Sequence, residues 1–346
     1  MIRTLIFLLL ATALPVAGFA HHSHSNLNRD DVRLYSGVVK KFGWNMPHAY
    51  LVVTAPDLNG EVVDYVIEMG NPPSLAQRGW DRDIFKPGER ITWEGAHDRN
   101  PNRHYTGLKW AERADGTRVG MNVNAFQKSD GVAKSIQPST DFSGLWKRCD
   151  PAKPGSDRPC GFNPHYKPPK GWPLTAVAQT LVDNFHEDQN PMVNCKDPGP
   201  PKFSLLPYPI QIDRPDDKTI IITGEMRPEP RVIHLDRDHA PSGSSSWGHS
   251  VGWFEGDELV VETTDFVADK WGSHTGIDSS DQKHLIERYS LSNNGMKLNV
   301  VMTVTDPVYL AEPVTFSHHW RKLVDRDLVK APCTLDAAQL FLKGIQ

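Results

Sequence analysis

Apolar and polar residues alternate in short runs along most of the chain, and long helical periodicities are scarce. "SGVVKKFGW" from Ser36, "YLVVTAPD" from Tyr50 and "EVVDYVIEM" from Glu61 read as strands, and Asn59-Gly60 between the last two is a strong hairpin signal. "NPPSLAQRGW" from Asn71 reads as one short helix, with Asn71 as N-cap and proline in the first turn. "KPGERITWEGA" from Lys86 is a further strand led by a Pro-Gly turn, and "YTGLKWAERADGTRV" from Tyr105 closes with another hairpin. Three strands, a helix and two strands is the order of a small OB-like barrel, with a sandwich as runner-up. It occupies residues 21–122.

Residues 123–140 have little hydrophobic periodicity and read as a linker. A second domain, residues 141–346, opens on "DFSGLWKRC". Residues 150–172 are dense in proline and glycine and read as a surface loop. "PLTAVAQTLVDNFHED" from Pro173 reads as one helix with Val177, Leu181 and Phe185 on one face. From Pro209 onward the pattern returns to about eight strands, separated by turns such as Asp216-Asp217, Glu255-Gly256-Asp257 and Asn293-Asn294-Gly295. The fold class is therefore mostly all-β: an OB-like barrel followed by an antiparallel, lipocalin-like barrel or sandwich with one helix. The 28 prolines and 26 glycines agree with many turns.

The first twenty residues differ in kind. Arg3, the apolar run Leu5 to Leu14, and the small residues Gly18 and Ala20 have the form of a secretory signal peptide, with cleavage near Ala20 and a mature start at His21. The run is too short to span a bilayer, and no later segment is long and apolar enough. The expected address is the periplasm or the exterior. Cys149, Cys160, Cys195 and Cys333 then favour two disulfides over a zinc site, since no CxxC spacing occurs. Of three connectivities, proximity favours Cys149–Cys160 with Cys195–Cys333. A net charge of −4 without a basic run argues against a nucleic-acid partner. The sequence sets no oligomeric state.

Two groups of residues could carry chemistry. His21, His22 and His24 sit at the expected mature N-terminus, and an amine plus imidazole on His21, completed by His48, suits Cu(II). No cofactor other than copper is implied, and the bland reading is a solvated histidine-rich tail. In "WGHSVGWFEGDELVVETTDF", Trp247, His249, Val251 and Trp253 share one strand face, as the wall of an aromatic cup would. Glu262 shares a face with Val260 and Thr264, Asp265 stands near the strand end, and His274 and His284 follow in a polar segment. His234 and Arg288 sit mid-strand. A carboxylate beside histidine and arginine makes His249, Glu262, His274, Arg288 and Asp265 candidate catalytic residues, and Trp247, Trp253 and His234 candidate ligand contacts. The bland reading is that these are satisfied core residues. No G-x-S-x-G, H-E-x-x-H, Walker A or dinucleotide glycine motif occurs.

The N-terminal region resembles an uncharacterised bacterial family of secreted domains of unknown function. The resemblance rests on Ala20-His21-His22-Ser23, Gly37-Val38-Val39, "NMPH" from Asn45 to His48, Glu68-Met69-Gly70-Asn71-Pro72 and the stretch Arg78 to Asp83. Met46 is inserted between the Asn and Pro of the family pattern. The second half is similar to a companion uncharacterised region, through Pro207 to Ile210, Trp247 to Asp257, Leu259 to Phe266 and Asp306 to Leu310. The resemblance implies secretion and architecture but no activity. The leading expectation is an exported protein that binds a small, partly apolar ligand in the C-terminal barrel. The alternatives are a cofactor-independent lyase, isomerase or hydrolase using the His/Glu pair there, and a copper-handling protein working through His21.

Overall fold

The computed structural model describes residues 26–120, 141–150, 160, 167–196, 198–225, 229–293, 295–324, 327–340 and 342. The expected signal peptide, His21, His22, His24 and the expected linker lie outside the described residues.

The first sheet contains β1 (Leu27–Gly43), β2 (Tyr50–Pro56), β3 (Val62–Glu68), β4 (Arg90–Asp98), β5 (Tyr105–Arg113) and β6 (Arg118–Gly120), with helix α1 (Pro72–Ala76) between β3 and β4. Its order is β3-β2-β1-β4-β5-β6, and a parallel pairing of β3 with β5 closes the first five strands on themselves. That is the expected OB-like layout. The local signals act as chemistry requires. Asp57 accepts from the backbone N–H groups of Asn59 and Glu61, while Gly60 takes φ +82°. Asn71 caps α1 by accepting from Ser74 N at 2.9 Å. Alternation along β2 and β3 sends Leu51, Val53, Tyr65 and Ile67 into a core with Trp80, Phe85 and Trp93.

The second half is a closed barrel. Its strands are β7 (Gly144–Arg148), β8 (Ile210–Asp216), β9 (Thr219–Gly224), β10 (Arg231–His234), β11 (His249–Glu255), β12 (Glu258–Thr264), β15 (His284–Ser292), β16 (Lys297–Thr305) and β17 (Val314–Leu323). A separate hairpin, β13 (Asp269–His274) with β14 (Ile277–Ser279), interrupts the run. Barrel order is β10-β11-β12-β15-β16-β17-β7-β8-β9, and every neighbouring pair is antiparallel except β10 with β11. Closure removes the sheet edges. Trp146, Ile212, Ile222, Ile233, Val261, Leu285, Val300, Met302 and Trp320 fill the interior.

A charged pair, Arg231 with Glu287, sits inside this apolar packing. Arg231 and Glu287 are bonded through both guanidinium amino groups. Arg231 also donates to Ser250 Oγ and Thr263 Oγ1, and Tyr289 OH donates to Glu287 Oε1 at 2.8 Å. Buried charges persist when their hydrogen-bonding capacity is met in this way.

Helix α2 (Ala176–Asp183) is shorter than its pattern suggested and does not bury the expected face. Thr175 caps it at Ala178 N, Val177 is exposed, and Ala178 is its buried residue. Phe185 falls beyond the helix end and packs on Trp271, ring centroids 5.2 Å apart. Four further short segments complete the described helices: α3 (Leu335–Ala338) and 3-10 turns at Glu187–Gln189, Pro191–Asn194 and Lys202–Leu205.

The disulfides are Cys149–Cys160 and Cys195–Cys333, as proximity favoured. The second one anchors a C-terminal segment that leaves the large barrel and lies on the small one. Met46 N donates to Pro332 O at 3.0 Å, Arg103 Nη2 donates to Leu340 O at 2.7 Å, and Ala337 and Leu340 pack with Leu27, Tyr50 and Tyr105. Among the described residues, no helix is long and apolar enough to cross a membrane.

Candidate metal centre

A parallel strand pair needs a crossover, because the chain must travel back along the strand before it starts the next one. Residues 235–248 make that return between β10 and β11, whose register pairs His234 with Val251. The return lays His239 against the end of β10 and the start of β11. His234 and His239 stack with ring centroids 3.5 Å apart and planes 6° from parallel. His249 lies 5.4 Å from His234 and 5.3 Å from His239, centroid to centroid. One potential ligand atom from each ring falls within 4.8 Å of the others. His239 is exposed, and the other two are partly buried.

The protonation state suits metal binding. Burial holds His234 below the usual imidazole range, and the neighbouring His239 and His249 add to this, against an opposing pull from Asp236. His249 Nε2 lies 2.9 Å from the carbonyl of His239. With Nε2–H donating there, the lone pair stays on Nδ1, which is the usual way a backbone carbonyl orients a ligand imidazole. Tetrahedral zinc at about 2.0 Å from each nitrogen needs nitrogens about 3.3 Å apart. The three nitrogens here lie within 4.8 Å of one another.

The other expected site residues fall in different places. On β11, Ser250 and Gly252 face the interior and are buried, so His249, Val251 and Trp253 occupy the outer face. The expected common face exists, but it does not line a cup. A Cβ added at Gly252 would come within 2.9 Å of Ile233 Cγ2, so the interior leaves no room for a larger side chain at that position. Trp247 precedes the strand and packs edge-on against Phe203 in the core, at 4.8 Å. Trp253 donates to Glu255 Oε1 at 2.9 Å beneath the Arg237 guanidinium.

Glu262 also faces outward, and its partner is His284, Nε2 to Oε1 2.7 Å. Arg288 binds Glu255 at 2.9 Å and Glu258 at 2.5 Å, rather than Glu262. Asp265 adopts a left-handed φ of +55° and accepts from Thr264 Oγ1 at 2.6 Å. His274 is buried in the β13–β14 hairpin, where Nδ1 accepts from Thr275 N at 2.8 Å and the ring meets Trp172 edge-on. Burial first, and then the charge of Lys202, holds it well below the imidazole range.

His48 belongs to the small barrel. Its Nδ1 lies 3.1 Å from Met69 O and 3.3 Å from Glu68 Oε1, and burial lowers its pKa to about 4. Tyr105 OH donates to Glu68 as well. The "NMPH" and "EMG" stretches, far apart in sequence, therefore meet. His239 is the residue that strand-pattern reasoning missed. The signal was available as His234, His239 and His249 flanking a Ser/Gly/Pro-rich connection.

Inside the large barrel, Arg231, Tyr289, His318 and Trp320 border a cavity of about 10 Å³. That holds about one water.

A family model described as a family of unknown function (DUF6152) matches residues 9–109. The match covers most of the small barrel, in agreement with the uncharacterised family resembled there, and excludes the histidine cluster. No curated protein and no solved structure matches the chain.

Proposed function

We propose that this is an exported metal-binding protein that holds one zinc or copper ion on the outer rim of its large barrel through His234, His239 and His249. The observation that carries the reading is the approach of three imidazole nitrogens to within 4.8 Å of one another. Neutral imidazoles suit both ions, and the lack of a thiolate argues against softer preferences. The exposure of His239 and the long connection that carries it suit an ion that is taken up and handed over. Export is supported by the signal-like first twenty residues and by two disulfides, which belong to oxidising compartments.

Two other readings draw less support. The cavity of about 10 Å³ beside His318 is too small for an organic ligand. For an acid–base site, Glu262 is engaged by His284 instead of by His249, its diagonal cross-strand neighbour on the outer face. A copper site at His21 stays a separate proposal, with His48 already turned toward Met69 and Glu68.

Equilibrium dialysis against zinc or copper, followed by elemental analysis, tests the proposal. The wild type should retain one more equivalent than His234→Ala or His249→Ala. Equal retention in all three proteins would place the metal elsewhere or remove it from the account.

A further inference from the structure

The small barrel carries a groove of about 400 Å³ that the metal proposal does not use. Its floor is the outer face of β2 and β3, with Tyr50, Val52, Asp64 and Val66. One side is the β4–β5 connection, through Asn102, Arg103 and His104. The far wall is Asp336 and Leu340 of the C-terminal segment, held there by the Arg103–Leu340 hydrogen bond and, further back, by Cys195–Cys333. Barrels of this layout take chain-like ligands, oligonucleotides or oligosaccharides, across strands 2 and 3 between the flanking loops. The volume lies in the range of small-molecule sites, and the fixed walls make the groove preformed.

Charge selects between those ligand classes. The groove offers two cations, Lys41 and Arg103, and two carboxylates, Asp64 and Asp336. Lys41 lies 3.4 Å from Asp336, and Arg103 lies 2.8 Å from Asp98. Asp64 pairs with Lys40 at 2.5 Å. A phosphate backbone is drawn by an excess of positive charge, and this lining has no such excess. What it does offer is hydrogen-bonding edges interleaved with carbon: Asn102, Asp64 and Asp336 beside Tyr50, Val52, Val66 and Leu340. The geometry points to a neutral, hydroxyl-rich ligand, a short oligosaccharide, bound across β2 and β3 between the β4–β5 connection and the C-terminal segment.

The test uses the full chain and ligand-observed NMR with cellohexaose, maltohexaose, laminarihexaose and chitohexaose at millimolar concentration. A heparin hexasaccharide, a dT6 oligonucleotide and an extended hexapeptide run beside them. At least one neutral hexasaccharide should bind. Asn102→Trp, which fills the groove mouth from an exposed position, should weaken that binding at least tenfold with an unchanged melting temperature. Asp64→Asn provides the same reading should the tryptophan variant misfold. His239→Ala should bind the sugar as the wild type does. The inference is overturned if no neutral sugar binds, if only heparin, dT6 or the peptide binds, or if the folded groove variants bind as tightly as the wild type.

Discussion

The imidazoles of His234 and His239 stack face to face, 3.5 Å between centroids, at the end of the parallel strand pair β10–β11. Two rings in that contact cannot both be protonated without strong repulsion, which agrees with the lowered pKa of His234. Metal affinity should therefore hold through neutral pH and fall in acid, where protons compete with the ion for the imidazole nitrogens. Metal titrations at pH 7.5 and 5.5 measure this. Affinity that is flat across the interval would point to carboxylate rather than imidazole ligands.

Glu262 and His284 are side-chain partners on the outer face, 35% and 39% exposed. Exposed pairs contribute about 0–1 kcal/mol. Glu262→Gln should change unfolding stability by less than about 1 kcal/mol. Glu287→Gln should cost about 3–5 kcal/mol, because it strands Arg231 in the barrel interior. Urea unfolding of both variants checks the contrast, and similar losses would show that the buried pair holds no more stability than the exposed one.

His318 is 2% exposed, and neither ring nitrogen has a hydrogen-bond partner among the described protein groups. Burial, with a smaller contribution from Arg148, lowers its pKa to about 3. A base with a depressed folded pKa is protonated first in the unfolded chain. Stability is therefore full above about pH 6.5 and declines as pH falls from there toward 3, by up to about 4–5 kcal/mol. His318→Leu should flatten that part of the profile. Denaturation at pH 7 and pH 4 decides it, and an unchanged slope in the variant would assign the acid sensitivity to other groups.

The Cys195–Cys333 bridge spans 138 residues and ties the C-terminal segment back to the large barrel. Replacing both cysteines by serine should cost about 2–5 kcal/mol. It should also raise hydrogen exchange in β5 and at the start of β1, where Ala337 and Leu340 pack on Tyr105 and Leu27. Exchange that rises evenly over the whole chain would deny the segment its local role.

Much of the architecture was legible because strand patterns and turn residues are local. The eight strands expected after Pro209 all occur, and β7 supplies the ninth. The helix between β3 and β4 and the Asn59-Gly60 turn also follow their signals. Which face looks inward was not local. Trp253 and Glu262 were expected in a cup, yet the interior row of β11 is Ser250 and Gly252, because Ile233 and Arg231 from β10 already fill that space. The same tertiary fact hid the histidine cluster. His239 meets His234 and His249 only because β10 and β11 run parallel, and alternation within a strand carries no information about that.

The most direct test is an X-ray absorption spectrum of the metal-loaded protein and of His239→Ala. The wild-type ion should show three imidazole nitrogens at about 2.0 Å, and the variant should lose one. A ligand shell of carboxylates, or an imidazole count that His239→Ala leaves unchanged, would contradict the metal centre.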